Sequence, residues 1–210
     1  MKTSIKSPLA ALAALITAGI FIIVIAGCGG DDSSSSKSVP GNAPDAAFVN
    51  DMIPHHRGAI EMAQVAQTKA QHPQIKALAA GIIGAQKSEI AVMQAVKNDL
   101  RHMGVSNGHM NMSQSEMGMD ADMSILESAD PFDKAFIDMM IPHHQGAIRM
   151  ARRQLADGKL PALQTMAQNI IKAQTAEIEQ MRTWRKQWYG AGSSNGATGS
   201  MEHGTSIDGG

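Results

Sequence analysis

Residues 48–63 read FVNDMIPHHRGAIEMA, and residues 136–151 repeat the pattern as FIDMMIPHHQGAIRMA. A second block returns at the same interval of 88 residues, as IIGAQKSEIAVM over 82–93 and IIKAQTAEIEQM over 170–181. Because the spacing between the blocks is the same in both copies, the chain consists of two versions of one helix pair. Each version carries a His-His step and a Gln-x-x-Glu motif, and imidazoles and carboxylates are common ligands of transition metals.

The composition of the repeats predicts helices. Only 3% of the residues are aromatic, no stretch alternates as a strand does, and good helix formers such as alanine, methionine and glutamine are frequent. We expect an all-α fold, a four-helix bundle built from two repeated helical hairpins. Asp130-Pro131 marks a helix start and Asp157-Gly158 a helix end. The predicted helices span residues 45–70, 73–102, 131–155 and 161–188.

Two prolines lie inside these predicted helices. Pro54 and Pro142 each remove a backbone donor and crowd the residue four positions earlier. The apolar steps of three and four residues continue across Pro54. This favours one kinked helix over a short helix followed by a longer one.

The N-terminus indicates export. Residues 1–27 contain Lys2 and Lys6, an apolar run over 9–26 and small residues just before Cys28. This pattern is typical of a lipoprotein signal peptide, with Cys28 as the lipidated first residue of the mature chain. The alternative is a membrane-spanning anchor, since the run is about long enough to cross a bilayer. Cys28 is the only cysteine, so no disulfide forms within the chain.

The remaining segments differ in composition. Residues 28–43 form a Ser/Gly/Asp-rich tether, 44–189 the helix bundle, and 190–210 a disordered tail. The formal net charge is -1, and no basic cluster suggests a nucleic-acid partner.

Polar side chains are predicted to face the centre of the bundle. His55 lies on the apolar stripe of the first helix, and Gln86 and Glu89 lie on that of the second. A turn near His72 sets His55 level with Glu89 and Met52 level with Met93, and the second copy repeats both layers. The candidate ligands are His55, His143, Glu89, Glu177, Gln86, Gln174, Met52, Met93, Met140 and Met181.

Two explanations compete for these buried polar groups. One is a hydrogen-bonded network in which each histidine donates to a glutamate across the bundle and sets the helix register. The other is a metal site, favoured because the ligands occur as a double set flanked by methionines. His56 and His144 either join the site or face a neighbouring helix. Met62 and Met150 share the face of His55 and His143 and are either ligands or core residues.

The segment between the repeats, within residues 102–130, is rich in methionine and histidine. Residues 102–123 read HMGVSNGHMNMSQSEMGMDADM, a polar stretch with six methionines. Exposed thioethers suit the capture of Cu(I) or Ag(I), and histidine adds affinity for Cu(II). The alternative is an apolar lid folded back on the bundle. Met201, Glu202 and His203 add a weak signal in the tail. The candidate loop ligands are His102, Met103, His109, Met110, Met112, Met117, Met119 and Met123.

The MIPHH motif at 52–56 and 140–144, with QxxE at 86–89 and 174–177, resembles a known family. This family is the ferritin-like four-helix family called domain of unknown function 305, and it includes the periplasmic copper-binding CopM proteins. The resemblance covers most of residues 44–188. It implies a ferritin-like bundle, exported from the cytoplasm, that binds copper or silver and supports metal tolerance.

The first hypothesis is therefore a lipid-anchored metal-binding protein outside the cytoplasm, which sequesters or carries Cu(I), and also Cu(II) or Ag(I). Its partners are metal ions and the membrane, and a homo-oligomer or a metal-transfer partner stays open. The rival is a ferritin-like redox enzyme using iron, manganese or copper between His55, Glu89, His143 and Glu177. The inward positions lack the Glu-x-x-His motif of di-iron proteins, which argues against that enzyme. A third hypothesis is a purely structural bundle.

Overall fold

The chain forms an all-α bundle, seen in a computed structural model that describes residues 40–105 and 108–190. Four long helices and two short ones make up this part of the chain. They are α1 (Ala43–Lys69), α2 (Pro73–His102), α3 (Gln114–Met117), α4 (Met123–Ser128), α5 (Phe132–Asp157) and α6 (Pro161–Tyr189). The four predicted helices are confirmed, with ends that differ by at most two residues. The expected signal peptide, Cys28, most of the tether and the tail residues 191–210 lie outside the described residues.

Local signals explain most of the helix ends. Asn42 and Asp45 form a capping box at the start of α1, and Pro73 and Pro161 occupy the first turns of α2 and α6. The predicted start at Asp130-Pro131 is wrong by one residue. The N-cap of α5 is Pro131, and no side-chain hydrogen bond caps this end.

Both internal prolines lie within continuous helices. α1 runs through Pro54 and α5 runs through Pro142 without a break, so the alternative of a short helix followed by a longer one is wrong. Both rings face solvent.

The two hairpins pack through their first helices. α1 packs on α2, α5 packs on α6, and α1 and α5 form the contact between the hairpins, whereas α2 and α6 barely touch. Met52 shares a core cluster with Met150, and Met62 shares another with Met140. Since the early residues of one helix meet the late residues of the other, α1 and α5 run antiparallel.

Each hairpin contributes one buried aspartate that binds the turn of the other hairpin. Asp45 of α1 accepts hydrogen bonds from the backbone N–H groups of Lys159 and Leu160, at 3.1 and 3.2 Å. Asp133 of α5 accepts from those of Gln71 and His72, at 3.0 and 2.8 Å. Each carboxylate thus satisfies free amides near the N-terminus of α6 or α2. We call this arrangement the aspartate clasp, and repeat symmetry relates its two halves.

No helix in the described ranges is long and apolar enough to cross a membrane.

Candidate metal centre

His55 and His143 meet where α1 crosses α5. Both side chains are buried, and their ring centroids lie 3.8 Å apart with the rings tilted by 39°. Each histidine lies three residues after a buried methionine of its own helix, Met52 or Met140. The contact between hairpins therefore places two imidazoles at its centre, enclosed by apolar side chains.

His56 and His144 point outward from this contact, toward the second helix of each hairpin. The His56 Nε2–H donates to Glu89 Oε2 at 2.6 Å, and the His144 Nε2–H donates to Glu177 Oε2 at 2.7 Å. The sequence register had placed His55 opposite Glu89, so that pairing is wrong by one residue. One residue turns the side chain by about 100°. For His56 and His144, the explanation that each histidine donates to a glutamate of another helix therefore holds.

Free ring nitrogens distinguish this site from an ordinary polar core. In the described part of the chain, the Nδ1 atoms of His55, His56 and His144 are buried and have no hydrogen-bond partner. His143 has a partner on neither ring nitrogen. When His56 and His144 are neutral and donate through Nε2–H to the glutamates, the lone pair of each ring is on Nδ1. A carboxylate behind an imidazole is also the usual support of a metal-binding histidine.

Burial keeps the inner histidines uncharged. Burial, reinforced by the neighbouring His56, lowers the pKa of His55 to about 3. Burial and then the neighbouring His55 hold the pKa of His143 well below its ordinary value. Both rings are therefore neutral near pH 7, so protons do not compete for their lone pairs.

Buried methionines flank the histidines as two symmetric trios, with every side chain at most 1% exposed. Met52, Met93 and Met150 belong to one core cluster. Met62, Met140 and Met181 belong to the other. Each trio draws on three helices, and repeat symmetry converts one trio into the other. The two trios thus belong to separate core clusters, with three buried methionines in each.

The segment between the repeats covers one face of the histidine pair. Met117 is buried in the core, and its carbonyl accepts a hydrogen bond from His55 Nε2 at 2.9 Å. Gly118 and Gly146 permit this approach, because a Cβ on Gly146 would overlap the Met117 carbonyl and one on Gly118 would overlap that of Pro142. For this part of the segment, the expectation of an exposed loop is wrong. The alternative, a lid folded back on the bundle, describes the segment around Met117 and Gly118.

The other residues of that segment vary in exposure. Met110, Met112, Met119 and Met123 are partly buried against the core. His102, Met103 and His109 are exposed. Asp51 accepts hydrogen bonds from the His109 ring and from the Met110 backbone N–H, which ties the segment to α1. Of the predicted loop ligands, Met117 therefore belongs to the core, four methionines pack against the core, and His102, Met103 and His109 are exposed.

The donor set favours soft ions. In residues 40–105 and 108–190, no three His, Cys, Asp or Glu side chains come together as a ready-made metal site. A metal between α1 and α5 would therefore use methionine sulfur besides imidazole nitrogen, and that combination selects Cu(I) or Ag(I) over hard cations. Gln86 and Gln174 are also buried, each with an unpartnered Oε1.

Some residues of the site carry no local signal in the sequence. Gly58 and Gly146 occupy the same position of the repeat, yet only Gly146 lies under the lid. Asp51 has Met139 as its counterpart in the second repeat. Asn50 departs from the repeat as well, with Asp138 as its counterpart, and its side chain donates to the Gly108 carbonyl. Such departures from the repeat are the signals in the sequence that the segment is tied to α1.

The chain is similar to known proteins in sequence and in fold. The sequence profile described as Domain of unknown function (DUF305) matches residues 45–185 and 157–207. Among solved structures, CopM in its Cu(I)-bound form is 37% identical with a TM-score of 0.59, covering 70% of this chain and 98% of that one. CopM in its Cu(II)-bound form is 39% identical with a TM-score of 0.60, covering 69% and 97%.

A DUF305 fragment from Deinococcus radiodurans is 26% identical with a TM-score of 0.60, covering 70% of this chain and 99% of the fragment. No curated protein sequence matches this chain.

Proposed function

The chain belongs to the DUF305 family, and from that premise we propose that it is an exported copper-binding protein that holds soft ions inside its bundle. CopM structures contain Cu(I), Cu(II) or silver at 37% to 39% identity to this chain. The corresponding role here is to sequester or carry copper, chiefly Cu(I), for metal tolerance.

One observation carries the proposal: in the described part of the chain, the four histidines of the α1 and α5 His-His steps have buried, unpartnered ring nitrogens. A buried polar atom without a partner costs about 1–3 kcal/mol. A structural bundle would be more stable with apolar side chains at these positions. A metal ion bound to the free nitrogens offsets that cost and accounts for their presence.

We assign the retained ions to two equivalent sites, one at each methionine trio. Met93 of α2 belongs to the first trio and Met181 of α6 to the second. The histidines between the trios supply nitrogen to both sites. Thioethers bind Cu(I) and Ag(I) without losing a proton, so these sites hold their ions in mildly acidic surroundings.

The proposed location follows from the N-terminus. Residues 1–27 act as the export signal, and Cys28 attaches the mature chain to a membrane through lipid. The residues between Cys28 and the N-cap Asn42 then serve as the tether that separates the bundle from the membrane surface.

Competitive titration tests the proposal. The purified protein, titrated with Ag(I) or Cu(I) against a chelator of known affinity, should bind two ions per chain in the bundle. Met93→Leu and Met181→Leu should each remove about one ion, and His55→Leu with His143→Leu should weaken both sites at least tenfold.

Met103→Leu is the matched control, since Met103 is 49% exposed and belongs to neither trio. Binding that survives both trio substitutions, or that only the Met103 change weakens, would contradict the assignment.

A further inference from the structure

A narrow groove separates α2 from α6, on the face of the bundle opposite the lid. It contains a cavity of about 20 Å³, enough for a single water molecule. Repeat symmetry relates its walls in pairs. The lining residues are Ile82 and Ile170, Ala85 and Ala173, Gln86 and Gln174, and Glu89 and Glu177.

Oxygen atoms form the polar lining of this groove. The Glu89 and Glu177 side chains are 24% and 25% exposed, so both carboxylates reach solvent. Gln86 and Gln174 lie deeper, at 3% exposed, with Oε1 atoms that have no partner in the described part of the chain. Two carboxylates and two free amide oxygens thus line one opening.

The same carboxylates lead to the buried histidines. Glu89 Oε2 accepts a hydrogen bond from His56, and Glu177 Oε2 accepts one from His144. A single side chain therefore separates the solvent in the groove from the imidazoles of the metal centre.

On the opposite face, described residues of the segment between the repeats cover the histidine pair. There, the Met117 carbonyl packs directly against Gly146 and is bonded to His55 Nε2. The larger cavity, of about 280 Å³, is lined by residues such as Ala43, Gly108 and Arg153 and by none of the four central histidines.

We propose that the groove between α2 and α6 is the port through which the metal ion enters and leaves the bundle. This inference rests on the proposed function. The two carboxylates attract the cation, and the four oxygens replace part of its hydration shell. Oxygen binds Cu(I) and Ag(I) weakly, so the ion moves on to nitrogen and sulfur further inside. The port therefore sets the rates of binding and release, while the histidines and methionines set the affinity.

Blocking the groove tests the port. Ala85→Phe with Ala173→Phe places two rings in its walls. Ala80→Phe with Ala176→Phe is the matched control, because these alanines are exposed on the same helices and do not line the groove. The probe is Cu(I), exchanged between the protein and a coloured chelator and followed by absorbance.

The blocked variant should take up and release Cu(I) at least tenfold more slowly, with affinity within threefold of wild type. The control should exchange at the wild-type rate. Wild-type exchange rates in a blocked variant of normal helix content would overturn the port and leave the proposed function intact. Failure of the wild-type protein to bind Cu(I) would overturn the proposed function itself.

Carboxylate charge provides a second measurement. Glu89→Gln with Glu177→Gln keeps a side-chain oxygen beside each histidine and removes two negative charges from the groove. Uptake should slow at low ionic strength and lose most of its salt dependence. Salt dependence equal to that of wild type would mean that the ion arrives by another route.

Discussion

At the scale of single residues, His143 is the least satisfied side chain of the core. It is 2% exposed, its two ring nitrogens have no hydrogen-bond partner in the described residues, and it lies against His55. Such a residue lowers the stability of the metal-free protein, because burial removes its hydration without replacing it. The protein retains it at the position where a soft ion would find a neutral nitrogen.

Acid should destabilise the metal-free protein through these inner histidines. The pKa of His55 is lowered to about 3 in the folded protein. As the pH falls below about 6.5, His55 of the unfolded chain therefore binds a proton that His55 of the folded chain does not bind. Stability is therefore full above about pH 6.5 and falls as the pH decreases toward 3. His55 alone accounts for a loss on the order of 3 kcal/mol at pH 4.5.

Urea denaturation of metal-free protein at pH 7 and pH 4.5 measures this loss. His55→Leu should reduce the difference between the two conditions, and His102→Leu, an exposed control, should not. An equal acid sensitivity in His55→Leu would show that the carboxylates alone are responsible.

At the scale of elements, the short helix α3 makes the two halves of the bundle unequal. It packs on α5 and closes one face over the histidine pair, although the repeats are otherwise symmetric. The close contact depends on Gly146, where even a methyl group would overlap the Met117 carbonyl. At the equivalent Gly58, the nearest atom to an added Cβ is His143 Nε2 at 3.5 Å, an ordinary contact.

Alanine at these two positions should therefore have opposite effects. Gly146→Ala should destabilise the protein by about 1–3 kcal/mol and displace α3. The added methyl group would overlap backbone atoms of Met117, and shifting backbone costs more free energy than shifting the end of a side chain. Gly58→Ala should be neutral or stabilising by up to about 1 kcal/mol, because alanine favours a helix interior. Thermal unfolding with hydrogen exchange at the α3 amides checks both changes. Similar losses at the two positions would show that α3 does not press on α5.

At the scale of the whole molecule, the aspartate clasp joins the two hairpins at both ends. Asp45 and Asp133 are at most 1% exposed, and each binds backbone amides of the other hairpin's turn. These charge-assisted hydrogen bonds couple the hairpins, so the bundle should unfold as one unit. The proposed metal centre would depend on that coupling, because its inner histidines come from different hairpins.

Removing the charge of the clasp should loosen the whole bundle. Asp133→Asn should cost about 2–4 kcal/mol, since an amide accepts fewer of the buried hydrogen bonds and adds donors that have no partner. Asp45→Asn should cost a similar amount. Asp138→Asn is the control: that side chain is 41% exposed, and its surface ion pairs contribute less than about 1 kcal/mol. Chemical denaturation gives the three values, and a clasp variant as stable as the control would refute the coupling.

Much of the fold could be predicted from local patterns. The exact repeat, the helix formers and the signals at Pro73, Pro161 and Gly158 act within a few residues, so the four long helices were expected nearly as they are. The lid was harder to predict, because residues 102–123 look too polar to pack. Only the glycines and the buried Met117 show how their backbone approaches α5.

The repeated sequence by itself determined the family, the all-α fold and the types of side chain at the centre, since these follow from residue identity and period. The tertiary structure alone decided that His55 meets His143 while His56 meets Glu89, because that choice depends on how two helices are rotated against each other. It also decided which of two identical glycines lies under the lid. The two repeats differ locally, because Arg149 and Arg153 have Glu61 and Val65 as counterparts and both arginines donate hydrogen bonds to carbonyls of the segment between the repeats. The close approach at Gly146 arises only when that segment packs on this side of the bundle.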